Sequence, residues 1–196
     1  MRATIFLARH GTHAEAGQIL SGRSGIALSP AGEAQAERLG RLARRERVAK
    51  VQTSPRARTV RTARIVADAL GVDTEIESAL DEIDFGDWTG RSFATLESDP
   101  AWVRWNEARH VAATPNGETM ASATQRATSH LDALAASGAD RVLCVSHCDV
   151  IRGAVAHYLG LSLDRLLHFD VDPGSLTTLV LDGKGGRLVR LNEVPA

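Results

Sequence analysis

The sequence predicts an α/β fold, a three-layer α/β/α sandwich around a mostly parallel central sheet. Three observations point there. Short apolar runs alternate with amphipathic helical stretches along the chain, the pattern of helices packed on both faces of a sheet. The run from Arg141 to Ser146 is almost continuously apolar, as in a strand buried on both faces. Two pairs of chemistry-bearing residues, Arg9-His10 and Ser146-His147, stand directly after such runs. Open parallel sheets bind their ligands beyond the carboxyl ends of their strands.

The elements follow in order. Residues 3–8 read as a buried strand ending at Arg9-His10-Gly11, and residues 12–29 lack periodicity and read as a loop. Ser29 and Pro30 open a helix as N-cap and first residue. It runs to about Arg47 with Ala36, Leu39, Leu42 and Ala43 on one face. Val48–Thr53 is a second strand. A helix near 56–70 carries the stripe Val60, Ala63, Val66, Ala67 and Leu70 and stops at Gly71. Val72–Ile76 is a short strand, and residues 79–91 form a structured loop. Helices are predicted over 92–108 and 118–137, separated by the turn at 114–117. After the Arg141–Ser146 strand a helix spans about Asp149–Leu159. Two last strands near 175–181 and 187–192 form a hairpin across Gly183-Lys184-Gly185-Gly186. No repeat or low-complexity tract interrupts this order, so 196 residues are read as one domain, with 91–117 as a cap or insertion.

Composition narrows the function classes. The net charge of −1 offers no global field to gather nucleic acid or an anionic membrane. Neither is expected as a partner. No window approaches the ~20 apolar residues of a membrane span, and the apolar stretch at the N-terminus is too short for a secretory signal. A soluble cytoplasmic protein is expected, with homo-oligomerisation left open. The two cysteines, Cys144 and Cys148, share one strand-and-turn segment, which argues against a structural disulfide. Lysine occurs only at 50 and 184, so 21 of the 23 basic residues are arginines. A lone arginine therefore carries little information; only an arginine inside a longer pattern counts.

Four segments carry such patterns: Arg9-His10-Gly11 at a strand end; Ser54-Pro55-Arg56-Ala57-Arg58-Thr59-Val60-Arg61-Thr62-Ala63 at another; the acidic, aromatic-anchored loop Leu80-Asp81-Glu82-Ile83-Asp84-Phe85-Gly86-Asp87-Trp88; and Val145-Ser146-His147-Cys148-Asp149-Val150-Ile151-Arg152. Each alone also reads as an ordinary polar turn or helix start. In this order they resemble the histidine phosphatase, or phosphoglycerate mutase-like, superfamily. Arg9, His10 and Gly11 match its R-H-G motif; Ser54, Arg58, Thr62 and Ala63 match its S-x-x-x-R-A-x-x-T-A element apart from Thr59. Glu82, Phe85, Gly86, Trp88 and Gly90 match the context of its acid. Val145, Ser146, His147, Ile151 and Arg152 match that of its second histidine, and Leu28-Ser29-Pro30-Ala31-Gly32 matches a helix entry.

The resemblance implies a metal-independent phosphohydrolase with no cofactor, acting on a small phosphorylated metabolite. His10 is its nucleophile, Glu82 its acid and base, and Arg9, Arg58 and His147 its phosphate ligands. The chemistry of these residue types agrees. Arginine forks grip phosphate oxygens, a neutral histidine can attack phosphorus, and a carboxyl can protonate the departing alkoxide and later activate water.

The chain departs from the family pattern at several points. Thr12, His13 and Ala16 stand where members commonly carry Glu or Gln, Thr or Ser, and an Asn. Cys148 replaces a Gly, and Thr89 an acidic residue. His13 is expected to be an exposed loop residue. Among rivals, a cysteine phosphatase at Cys148 lacks an Arg six positions on, since residue 154 is Ala. A zinc site at His10 and His13 lacks further ligands at zinc spacing. A dinucleotide site lacks the Gly-rich turn. Phosphoglycerate mutase-type transfer is the alternative activity, and a non-catalytic phospholigand module the alternative of another class. The compact 91–117 segment favours hydrolysis over the mutase.

Overall fold

Local sequence rules place the first elements of the computed structural model, which describes residues 2–196. β1 (Ala3–Arg9) precedes the long loop, and α1 (Pro30–Arg45) begins where the Ser29 side chain accepts the Gly32 N–H with Pro30 in the first turn. β2 (Lys50–Thr53) leads to α2 (Ala57–Leu70), which Gly71 terminates in the left-handed region at φ 72°. β3 (Thr74–Ile76) follows. Beyond the 77–92 loop come α3 (Phe93–Leu96), α4 (Pro100–Glu107) and α5 (Met120–Ala136). β4 (Val142–Ser146), α6 (Cys148–Leu159), β5 (Leu176–Leu181) and β6 (Gly186–Glu193) complete the chain.

The six strands form one mixed sheet in the order β3-β2-β4-β1-β5-β6. β3, β2, β4 and β1 are mutually parallel; β5 pairs antiparallel with β1, and β6 with β5. Strand alternation divides the core between two layers. Ile5 and Leu7 of β1 pack with Leu131 of α5 and Ile151 and Val155 of α6. Phe6 and Ala8 face the other way, toward Leu39 and Ala43 of α1 and Ala63 and Val66 of α2. Burial on both faces explains why β1 and β4 read as continuous apolar runs.

The expected helix over 92–108 is two short helices. Asp99 caps the second by accepting the Ala101 N–H, and Pro100 occupies its first turn; proline has no N–H to continue the preceding helix. A further 3-10 turn at Leu163–His168 was not expected from the sequence. A third apolar cluster, including Ile83, Phe85, Trp88, Trp105 and Met120, lies apart from the two sheet layers and anchors the acidic loop.

Gly86 shows how tightly that loop is docked. Its φ is +54°, and a Cβ there would collide with the Pro115 carbonyl. The Asp84 carbonyl accepts from Thr114 Oγ1 at 3.0 Å and from the Glu118 N–H at 2.8 Å. Gly86→Ala is therefore expected to lose about 2 kcal/mol or more of stability, from strained backbone and collision together. Chemical denaturation measures it; a loss below about 0.5 kcal/mol would show that the loop tolerates displacement.

Candidate active site

The register of β1 and β4 brings the two histidines together. Arg9 pairs with Ser146, and the His10 N–H donates to the Ser146 carbonyl at 3.1 Å. The residues after the two strand ends, His10 and His147, thus sit side by side with ring centroids 5.2 Å apart. Gly11 lets the chain turn away here, because a Cβ would run into the Gly32 backbone at the start of α1. β2 ends beside β4, with the Ser54 N–H on the Val145 carbonyl, and Arg58 projects from the first turn of α2 between the histidines.

Hydrogen-bond partners fix the protonation of both rings. His10 Nδ1 lies 2.7 Å from the Gly11 carbonyl. A carbonyl only accepts, so Nδ1 carries the proton and Nε2 presents its lone pair to Arg58 Nε at 3.2 Å. His147 Nδ1 lies 3.0 Å from Arg58 Nη2. A guanidinium only donates, so this nitrogen is the acceptor, and the His147 proton is on Nε2. That proton goes to Ser54 Oγ at 2.8 Å, and the Ser54 hydroxyl donates to Asp81 Oδ1 at 3.2 Å. Arg56 holds Asp81 through two bonds of 2.8 and 2.7 Å. Burial, with Arg58 as the next cause, drives the pKa of each histidine well below the usual value, so both are neutral near pH 7.

Arg58 is 1% exposed and has no ion-pair partner in contact. Besides the two histidines it donates to the Gly22 carbonyl at 2.6 Å and the Ser24 carbonyl at 3.3 Å. Arg9 Nη1 donates to the Val171 carbonyl at 2.6 Å, whereas its Nε is buried with no partner among the described residues. An orphaned buried cationic donor marks a place where an anion belongs. Glu82 is 8% exposed. Burial first, then the charge of Asp149, push its pKa up to about 7, against the opposing pull of Arg58, the Ile83 N–H and Arg9.

Arg9, His10, Arg58 and Glu82 line one cavity of about 310 Å³. His147 stands behind it, fully buried, 3.8 Å from Glu82 Oε2 through Nδ1. The structure thus assembles all five residues singled out in the sequence. His13 is a correction. It is not an exposed loop residue: it lines the cavity, its ring lies 5.5 Å from His10, and its Nδ1 is buried without a partner. The loop folds inward there, and an aperiodic stretch gave no sign of it. Cys148 also lines the cavity, but burial pushes its thiol up to about 11, which removes the thiolate a cysteine phosphatase requires. Arg56, Arg109 and Asp149 were missed; in an arginine-rich chain the first two look like any surface arginine, and Asp149 looks like an ordinary first-turn acid.

The chain belongs to the histidine phosphatase superfamily, branch 1, whose family profile matches residues 5–194. It is 32% identical to the adenosylcobalamin/alpha-ribazole phosphatase of Salmonella typhimurium, over 87% of this chain and 86% of that one. It is 34% identical to the "Probable phosphoglycerate mutase GpmB" of Erwinia tasmaniensis, over 80% of this chain and 75% of that one. The structure of Bacillus stearothermophilus YhfR superposes with a TM-score of 0.90 at 26% identity, covering 98% of each chain. Among the described residues no helix is long and apolar enough to cross a membrane.

The raised Glu82 pKa has a consequence for stability. A carboxyl whose folded pKa lies above its unfolded value contributes stability below the unfolded value and loses it as pH rises to the folded one. The window runs from about 4.5 to about 7. Glu82→Gln should therefore match the wild type below pH 4.5, gain on it progressively to pH 7, and keep a constant advantage above. Denaturant titrations across pH check this; an advantage that does not grow through the window would contradict a buried, proton-holding Glu82.

Proposed function

We propose that this histidine phosphatase hydrolyses small phosphate monoesters through a phosphohistidine formed on His10, with Glu82 as acid and then base and with no metal. The observation that carries the reading is the His10 Nδ1–H bond to the Gly11 carbonyl. It leaves Nε2 as the only lone pair of a neutral ring at the cavity wall, beside two arginines.

The ester dianion displaces internal contacts: Arg58 Nε leaves His10 for a phosphate oxygen, and the unpartnered Arg9 Nε takes another. Paired with the phosphate, the arginines spread its charge and align it with Nε2. Nε2 attacks phosphorus and the ester P–O bond breaks. Glu82, with its pKa raised to about 7, still holds a proton near neutrality and gives it to the departing alkoxide. The phosphorylated ring is a cation, and the Gly11 carbonyl stabilises its remaining N–H. Glu82, now a carboxylate, takes a proton from a water that attacks phosphorus. His10 leaves as a neutral ring, inorganic phosphate is the product, and Glu82 is protonated again. His147 joins the phosphate shell once Arg58 Nη2 turns to the ligand and the freed Nδ1 takes up a proton from solvent; the Ser54–Asp81 chain behind it supports that second proton. The 91–117 segment acts as the cap, since Phe93, Trp102, Asn106 and Arg109 line the same cavity.

His10→Ala should abolish turnover while the protein stays folded. Rapid acid-free quenching of the wild type should trap base-stable, acid-labile phosphate that the variant lacks. Near-wild-type turnover by the variant would end the proposal. Glu82→Gln separates acid catalysis from charge alone. It should slow phosphoenzyme formation from alkyl phosphates by about 100-fold, the scale of general acid catalysis, and from p-nitrophenyl phosphate far less. Equal losses on both in rapid-quench measurements would remove Glu82 from the acid role. Prolonged chelation should leave activity unchanged; a loss that only added metal restores would contradict the metal-free reading.

A further inference from the structure

The wall of the cavity facing away from His10 must meet the alcohol part of the ester. Two arginines there, Arg109 and Arg152, look suited to a substrate carboxylate, but the protein has already engaged both. Arg109 is 4% exposed and lies flat on Trp105, its guanidinium carbon 4.0 Å from the ring centroid. Its Nη1 donates to Asp149 Oδ1 at 3.0 Å and its Nη2 to Asn106 Oδ1 at 2.8 Å, leaving only Nε without a partner. Arg152 Nη1 lies 3.9 Å from the same Asp149 oxygen, Nη2 lies 3.6 Å from Asp170, and Nε donates to the Phe169 carbonyl. Each arginine in this group therefore has a carboxylate of its own. Deeper in, Arg9, Arg58 and the doubly protonated His147 of the phosphate-bound site are all committed to the phosphate dianion, with Glu82 protonated. A further anion on the substrate would find one unpartnered cationic donor, Arg109 Nε, on a guanidinium whose charge Asp149 already offsets.

It would also meet Asp149. Both arginines approach its Oδ1, and among the described residues no hydrogen bond reaches Oδ2. Asp149 lines the cavity, and a carboxylate with one oxygen free of donors accepts from a hydroxyl and repels another carboxylate. Beside it, Phe93 and Trp102 offer partly exposed aromatic faces to the same cavity, which suit the C–H surface of a sugar or polyol.

We infer that Asp149 selects the leaving group: the site takes monoesters of uncharged, hydroxyl-bearing alcohols, such as sugar and polyol phosphates, and rejects esters whose alcohol carries a carboxylate. The inference rests on the phosphohydrolase reading above. The raised pKa of Glu82, to which Asp149 contributes, agrees with Asp149 bearing its charge into the cavity.

A matched pair of substrates tests it. Glycerol 3-phosphate and 3-phosphoglycerate differ in one terminal group, CH2OH against a carboxylate. The wild type should favour glycerol 3-phosphate by about tenfold or more in kcat/KM, the scale of one like-charge contact at a partly buried site. Asp149→Asn, which keeps an acceptor for Arg109, should bring that ratio toward unity, as should Asp149→Ser. A wild-type ratio of one or below overturns the inference without any variant. So does a ratio that neither folded variant moves. p-Nitrophenyl phosphate, whose alcohol carries no carboxylate, separates the two levels of the argument. If the wild type does not cleave it, the phosphohydrolase reading fails and the inference with it. If it does, and the carboxylate ester is preferred, only the inference fails.

Discussion

The buried guanidinium of Arg58 is the contact on which the site depends. A charge 99% removed from solvent costs several kcal/mol unless its donors are met, and here they are met by groups whose arrangement the reaction uses. Nε and Nη2 reach the two histidines, and the loop carbonyls of Gly22 and Ser24 take further donors. Together with burial, this one residue holds both rings neutral; it takes the lone pair of each ring and pins the 12–29 loop over the cavity. None of these partners is an anion in contact. The charges of Glu82 and Asp81 act on it only from a distance, so on the proposed reading its donors remain available to a phosphate instead of being committed to an internal ion pair.

The same economy separates the two adjacent carboxylates of the acidic loop. Asp81 turns toward the sheet, where Arg56 grips it with two bonds and Ser54 links it to His147. Glu82, one residue on, turns into the cavity and faces Asp149, with only the Ile83 N–H donating to its carboxylate. Neighbouring groups of one chemical type thus acquire different environments, an ion-paired anchor and a buried carboxyl of raised pKa, the usual way one site holds both an acid and a fixed charge at neutral pH. Arg23 and Arg126 clamp the Glu82 carbonyl at 2.8 and 3.1 Å, so the backbone on which this division rests has little freedom to rotate.

What the sequence disclosed and what it withheld divide along a physical line. Strand ends, caps and apolar stripes depend on nearby residues, so β1, α1, α2 and β4 were legible, as were the five residues standing at strand ends or inside long motifs. Interactions between distant segments were not. Nothing in the order of residues announces that Arg56 pairs with Asp81 or Arg109 with Asp149, and the inward fold of the loop that sets His13 beside His10 depends on the same long-range packing. Two-helix packing around Asp99-Pro100 was hidden for the opposite reason: the apolar residues of 92–108 continue a helical stripe across a break that the proline imposes. The mixed sheet was partly foreseen, because the glycine-rich turn at 183–186 marked the hairpin, but the antiparallel insertion of β5 beside β1 is a matter of topology.

The groups proposed to react and the wall proposed to meet the leaving group are built on different foundations, which decides how each can change. His10, His147 and Arg58 stand on strand ends and a helix start whose cores are the two sheet layers. Phe93, Trp102 and Trp105 belong to the separate third cluster, tied to the 12–29 loop by the Ile19–Ser92 bridge and by the Phe93 N–H on the Gln18 carbonyl. Substitutions in the second group can reshape the wall while the strand register that aligns the histidines stays in place. Asp149 is the exception: it stands one residue beyond Cys148, in the first turn of α6, yet its partner Arg109 comes from the outer segment. It therefore couples the two halves. Replacing it alters both the charge that a leaving group meets and the field at Glu82, so selectivity and proton affinity must move together at this position, whereas at Trp102 they can move apart.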